Sequence, residues 1–311
     1  MKALKQLSLL ALEAVIVPML AAEQRCPGNV ATVTPRFVQR ALIVIPVWIN
    51  QTGPYDFLVD TGTQITAIDP SLARELGLKP RGTIGVFTVA SYARAPITIL
   101  DTLEANSHVV EKPLAIVQDF REIQAIDSHI RGTLGENFLA RFDLLIDYAH
   151  KLLCLDETKV MRGRVHGEHI PLLLPKYSED EMQYEGEMQY EKRLVVSVNL
   201  SRAGRRQILL QLDSGCDGPL LYAGNREREP EILNQATLRV PGTSKAQKAF
   251  AVLPPQDIRI GSLTLSGVPF VTPVNPEKNA PSRQEDGLLP TMLFQRVFIS
   301  GSDDFAIFQP W

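Results

Sequence analysis

Two short segments of the chain carry residue types that can activate water. Phe57-Leu58-Val59-Asp60-Thr61-Gly62-Thr63 places a carboxylate at the end of an apolar run, followed by a hydroxyl, a glycine and a second hydroxyl. Leu209-Leu210-Gln211-Leu212-Asp213-Ser214-Gly215-Cys216 repeats that order, with a thiol in the last place. In each, glycine permits a tight turn directly behind the acid. Either segment alone reads equally as a turn-forming aspartate at a strand end, because Asp, Ser, Thr and Gly are the common turn residues. Two copies at matching places point instead to a pair of carboxyl groups. Held close together, such a pair cannot easily ionise twice, so one member keeps its proton where an isolated aspartate has lost it. The charged member can take a proton from water while the neutral one polarises a carbonyl.

The elements that must position these acids are also duplicated. Gly132-Thr133-Leu134-Gly135-Glu136-Asn137-Phe138-Leu139-Ala140-Arg141-Phe142 follows the first acid, and Gly287-Leu288-Leu289-Pro290-Thr291-Met292-Leu293-Phe294-Gln295-Arg296-Val297 follows the second. Aligned from Gly132 and Gly287, both have an apolar third residue, paired apolar residues ahead of an arginine, and an apolar run beyond it; Pro290 stands where the first copy has Gly135. Runs of Val, Ile, Leu and Phe predict strands at 41–49, 55–59, 84–89, 97–100, 114–117 and 142–146. A short helix is expected from Pro70, capped by Asp69 and ended by Gly77. Strands at 194–200 and 207–212 mirror the first two, and further strands are expected at 258–260, 263–265 and 268–271. Repetition of this extent is an internal duplication.

On these motifs the sequence resembles the pepsin-like and retropepsin-like aspartic peptidases, in particular bacterial members with two lobes in one chain. The resemblance implies an all-β fold with short helices, a bilobal acid-protease-like closed β-barrel whose lobes are related by a pseudo-twofold axis. The lobes would span 23–157 and 194–311. Between them lies a polar stretch, 158–193, expected as an acidic linker or insertion and containing Glu181-Met182-Gln183-Tyr184-Glu185 twice in succession, the second time as residues 187–191. Asp60 and Asp213 would form the catalytic pair. Thr61 and Ser214 would hydrogen-bond across the lobes, Gly62 and Gly215 would form the turns, and Thr63 and Cys216 would support them. Gly132, Gly135 and Gly287 would be structural. The resemblance implies no cofactor and no metal, a peptide or protein substrate between the lobes, and a monomer. Tyr92 lies in the region of the family's flap, yet an aromatic there also suits an ordinary strand. Two alternatives stay open. Cys216 and Pro290 favour a peptide-binding protein of weak or absent activity; a site built by pairing the Asp60 lobes of two copies is made unnecessary by the second motif.

The whole-chain numbers agree with a folded enzyme or binding protein. Among 311 residues, 45% are apolar and 22% charged, which are globular proportions. A net charge of -3 gives no basic footprint for nucleic acid. Lys2 and Lys5, an apolar run from Leu7 to Leu20 interrupted by Glu13, and Ala21-Ala22 read as an export signal over residues 1–22, so the protein is expected in the periplasm or outside the cell. No later stretch reaches the roughly 18 apolar residues of a membrane span. Of three cysteines, Cys26 and Cys154 could pair or stay free, as could Cys216. His166-Gly167-Glu168-His169 lacks the order of a zinc-binding helix.

Overall fold

The computed structural model describes residues 25–39, 41–87, 92–173, 194–200, 207–222, 238–241, 249–273 and 285–311. The expected export signal and the tandem repeat lie outside them. The first part of the chain supplies β1 (Thr32–Val33), β2 (Arg36–Val38), β3 (Leu42–Ile49), β4 (Thr52–Val59), β5 (Ala67–Ile68), α1 (Pro70–Glu75), β6 (Gly82–Phe87), β7 (Tyr92–Ile99) and β8 (Thr102–Ala105). There follow β9 (His108–Glu111), β10 (Leu114–Val117), α2 (Arg121–Gln124), β11 (Ile130–Leu134), α3 (Glu136–Leu139), β12 (Asp143–Asp147) and β13 (Leu152–Asp156). The rest supplies β14 (Ile170–Pro171), β15 (Val195–Leu200), β16 (Gln207–Asp213), β17 (Leu220–Leu221), β18 (Leu238–Pro241), β19 (Ala249–Val252) and β20 (Gln256–Ile260). It ends with β21 (Leu263–Val268), β22 (Val271–Pro273), β23 (Gly287–Pro290), β24 (Arg296–Ser300) and β25 (Phe305–Gln309).

The fold is all-β. One large sheet runs β6-β7-β10-β5-β11-β4-β3-β8-β9, with β2 paired to β3, and a second runs β18-β19-β22-β17-β23-β16-β15-β20-β21. Place by place, these are the same order built twice. In each sheet a later strand is inserted between two earlier ones: β11 lies parallel to β4 and antiparallel to β5, and β23 lies parallel to β16 and antiparallel to β17. Insertion explains the leading glycines. A Cβ on Gly132 would collide with the Phe57 ring and Ala67 O, and one on Gly287 with Leu220 O.

A third sheet, β1-β13-β12-β24-β25-β14, joins the two parts. At its centre β12 and β24 run antiparallel, with Leu145 opposite Phe298. Every residue of β12 is buried, as expected of a strand covered on both faces. Its two acids are therefore paired. Asp147 accepts from Arg296 Nε at 2.7 Å, and Asp143 from Arg162 Nη2 at 2.9 Å and Ser300 Oγ at 2.8 Å. A continuous buried cluster, including Leu134, Phe138, Val196, Leu212 and Ile299, runs through all three sheets.

Three expected segments differ in extent or setting. The strand expected at 268–271 is two, because β21 ends at Val268 and β22 begins at Val271; Pro269 between them has no N–H to continue a ladder. The strand expected at 84–89 runs Gly82–Phe87, and its last two expected residues lie outside the described ones. The early part of the stretch expected as an acidic linker or insertion is packed into the molecule: Met161, Val165, Ile170 and Leu172 are buried, and β14 pairs with β25. Cys26 and Cys154, left open by the sequence, form a disulfide that fixes the start of the described chain to β13.

Candidate active site

β4 and β16 each end in an Asp turn, and the structure brings the two turns together. Thr61 N donates to Ser214 Oγ at 3.1 Å, and Ser214 N donates to Thr61 Oγ1 at 3.0 Å. The two hydroxyls then donate onward across the same seam: Thr61 Oγ1 to Leu212 O at 2.9 Å, Ser214 Oγ to Val59 O at 2.8 Å. Both side chains are buried, so each polar atom is matched where water cannot replace the partner. Every bond has its counterpart in the other half.

Within each turn the glycine N–H holds the carboxylate. Gly62 N donates to Asp60 Oδ1 at 2.8 Å and Gly215 N to Asp213 Oδ1 at 2.7 Å. The glycines have a second role in trans. A Cβ on Gly62 would lie 2.5 Å from Asp213 Cγ, and one on Gly215 would lie 2.6 Å from Asp60 Cγ. Each carboxyl group occupies the space that a side chain on the opposite turn would need, which keeps the two acids adjacent.

Adjacency and burial set their protonation. Burial raises Asp60 above the ordinary carboxylate value, while Thr63, Gly62 and a hydrogen bond with Asp213 act to lower it. Asp213 is pushed up to about 8, first by burial and then by the negative charge of Asp60. Thr63 Oγ1 donates to Asp60 Oδ2 at 2.8 Å. Its counterpart Cys216 has its thiol 3.9 Å from the main-chain O of Asp213 and also within hydrogen-bonding reach of the Asp213 carboxyl group, but a thiol is a weak donor. Burial and the Asp213 charge raise Cys216 well above an ordinary thiol. Both acids are thus raised by burial, with the stronger hydroxyl donor on Asp60 and the charge of its neighbour acting on Asp213.

The segments behind the turns differ in the same sense. Gly135 N donates to Thr66 Oγ1 at 3.2 Å, a bond Pro290 lacks the N–H to make. Glu136 N donates to Thr63 O at 2.8 Å, and Asn137 Oδ1 accepts from Thr66 N and Oγ1 at 2.9 and 2.8 Å. Behind the second turn, Tyr148 OH shares a 2.7 Å hydrogen bond with Thr291 Oγ1, and burial raises the phenol above its usual range. Glu136, Asn137, Tyr148, Gln211 and Thr291 were not singled out from sequence. The available signal was a polar side chain inside an otherwise apolar run.

Tyr92 stands at the start of β7, opposite Phe87, with its phenol oxygen against Gly85, where a Cβ would collide. Within the His166–His169 segment, Glu168 accepts from Ser262 N at 2.8 Å and His169 stacks on Phe305. Among the described residues no group of three or more His, Cys, Asp or Glu side chains is arranged to hold a metal ion.

Comparison with known proteins finds a match to part of the chain. Residues 45–138 match the aspartyl protease family, a span that holds the Asp60 turn, Gly132 and Gly135 and ends before Asp213. With its two paired Asp turns the chain resembles the retropepsin-like and pepsin-like aspartic peptidases. Among solved structures it is similar to a retropepsin-like aspartic protease from Rickettsia conorii, at 23% identity over 40% of this chain and 93% of that chain, with a TM-score of 0.29. No curated protein matches the sequence.

Proposed function

We propose that the protein is an aspartic endopeptidase in which Asp60 and Asp213 activate water to hydrolyse peptide bonds. The observation that carries this reading is the reciprocal seam of Thr61 and Ser214, which holds each carboxyl group against the opposite turn glycine. Asp60, supported by two donors, acts as the base that takes a proton from water. Asp213, holding its proton to about pH 8, donates a hydrogen bond to the scissile carbonyl as the oxygen becomes negative. The tetrahedral species then collapses with transfer of a proton to the leaving nitrogen, so that water supplies the hydroxyl of the new acid and a proton of the new amine. An extended peptide would lie between the two large sheets, and one chain provides both acids, so a monomer suffices. The Cys26–Cys154 disulfide supports an exported protein, since such bonds persist in oxidising compartments. Among the described residues no helix is long and apolar enough to cross a membrane.

The test is cleavage of a mixed peptide library between about pH 3 and pH 8 by wild type and by folded Asp60→Asn and Asp213→Asn variants. Wild type should cut internal bonds, and each variant should lose about 10²- to 10⁴-fold, the usual worth of a positioned acid or base. Loss in Asp60→Asn alone would favour a site using only the Asp60 half of two copies. Binding of peptides without cleavage would favour the second reading, a peptide-binding protein, for which the weak Cys216 donor and Pro290 speak.

A further inference from the structure

Two buried polar residues break the internal symmetry, and they are each other's partner. At the place where β16 has Gln211, two residues before its acid, β4 has Leu58, an apolar member of a buried cluster. Where the segment after β11 has Glu136, the segment after β23 has Thr291. Gln211 and Glu136 are both buried. Gln211 Nε2 lies 3.3 Å from Glu136 Oε1, 3.2 Å from Gly62 O and 3.5 Å from Thr61 O. Glu136 Oε1 also accepts from Leu194 N at 2.9 Å, at the entrance to β15, while Glu136 N holds Thr63 O.

From this juxtaposition we infer that Glu136 and Gln211 are positioning residues that clamp the Asp60 turn, and only that turn, to the second half of the molecule. The inference rests on the peptidase reading, for which it names two residues that act through the catalytic turns. The path is continuous. Glu136 fixes the amide of Gln211, that amide binds the carbonyls of Thr61 and Gly62, and Gly62 N–H bears on Asp60 Oδ1. Leu58 offers no amide to the Asp213 turn, which instead has Thr291 and Tyr148 behind it. A buried polar pair joining α3 to β16 restricts the arrangements a core can adopt, here the placement of one acid against the other.

The test replaces each residue by what the other half carries. The double variant Glu136→Thr/Gln211→Leu leaves no buried carboxyl without its amide and no amide without its carboxyl, so it can fold. Amide hydrogen exchange at Thr61, Gly62 and Thr63 should then accelerate about tenfold or more, while exchange at Gly215, whose N–H is held within its own turn by Asp213, stays within about twofold of wild type. On peptide substrates kcat should fall about tenfold with KM little changed. Glu136→Gln keeps an acceptor oxygen and should hold first-turn exchange near the wild-type rate. If the double variant does not fold, the swap Glu136→Gln/Gln211→Glu keeps the pair but sets a carboxylate against Gly62 O, and should loosen the first turn alone. Unchanged exchange in a folded variant, or equal acceleration in both turns, overturns the inference. A wild type that cuts no peptide overturns the peptidase reading instead, and the exchange measurement still decides the clamp.

Discussion

At the scale of single residues, the two acids sit in matching turns but hold their proton unequally, and this has a thermodynamic sign. Burial and the charge of Asp60 push Asp213 up to about 8, and burial raises Asp60 as well, against about 3.9 in an unfolded chain. Between those values the native state binds a proton that the unfolded state has released, so stability falls as pH rises through the window. Denaturant unfolding from pH 4 to 8 should show this decline in wild type and a flatter profile in Asp213→Asn. A wild-type profile that rises across the window would contradict the raised value. The acids themselves were legible in the sequence, because each is part of a contiguous turn motif repeated once. Gln211 and Glu136 were not, since their meaning lies in a contact between residues 75 positions apart. Cys216 could be recognised as a departure from Thr63, but the reach of its thiol to both the main chain and the carboxyl group of Asp213 depends on local geometry that composition does not encode.

At the scale of elements, legibility followed length and capping. The helix expected from Pro70 is α1, with Asp69 Oδ1 accepting from Ser71 N at 2.8 Å and Leu72 N at 3.2 Å, and with Gly77 at φ +63° just beyond it. Asp69→Ala should cost about 1 kcal/mol, the usual worth of such a cap, read as a lower denaturant midpoint with an unchanged slope. A loss several times larger would mean that Asp69 is needed for more than capping α1. Long strands such as β3 and β15 were visible as apolar runs. Two-residue strands such as β5 and β17 were not, because no periodicity can be read in two residues; they matter because β11 and β23 are seated against them. The leading glycines were recognised as repeated, and only the inserted strands explain why a side chain there has no room.

At the scale of the whole molecule, the third sheet and the shared core tie the two large sheets into one structure. The Cys26–Cys154 bond closes a separation of 128 residues, which restricts the unfolded chain far more than the folded one. The double variant Cys26→Ser/Cys154→Ser should therefore lose about 2–5 kcal/mol of stability in equilibrium unfolding, and an unchanged midpoint would show that the bond contributes nothing to the fold. Duplication and strand order were readable along the chain, whereas the union of β12 with β24 was not, since a sequence does not say which edges meet.

The seam of Thr61 and Ser214 also bears on the order in which the protein comes into being. Its hydrogen bonds join residues 151 to 155 positions apart, and contacts so distant form only after the intervening chain has been ordered. During synthesis the Asp60 turn leaves the ribosome long before Asp213, and the strands β24 and β25 that complete the third sheet come later still. A nascent chain that stops short of Asp213 thus carries one acid without its partner, and under the proposed function it gains the means to activate water only once β16 has been made and paired.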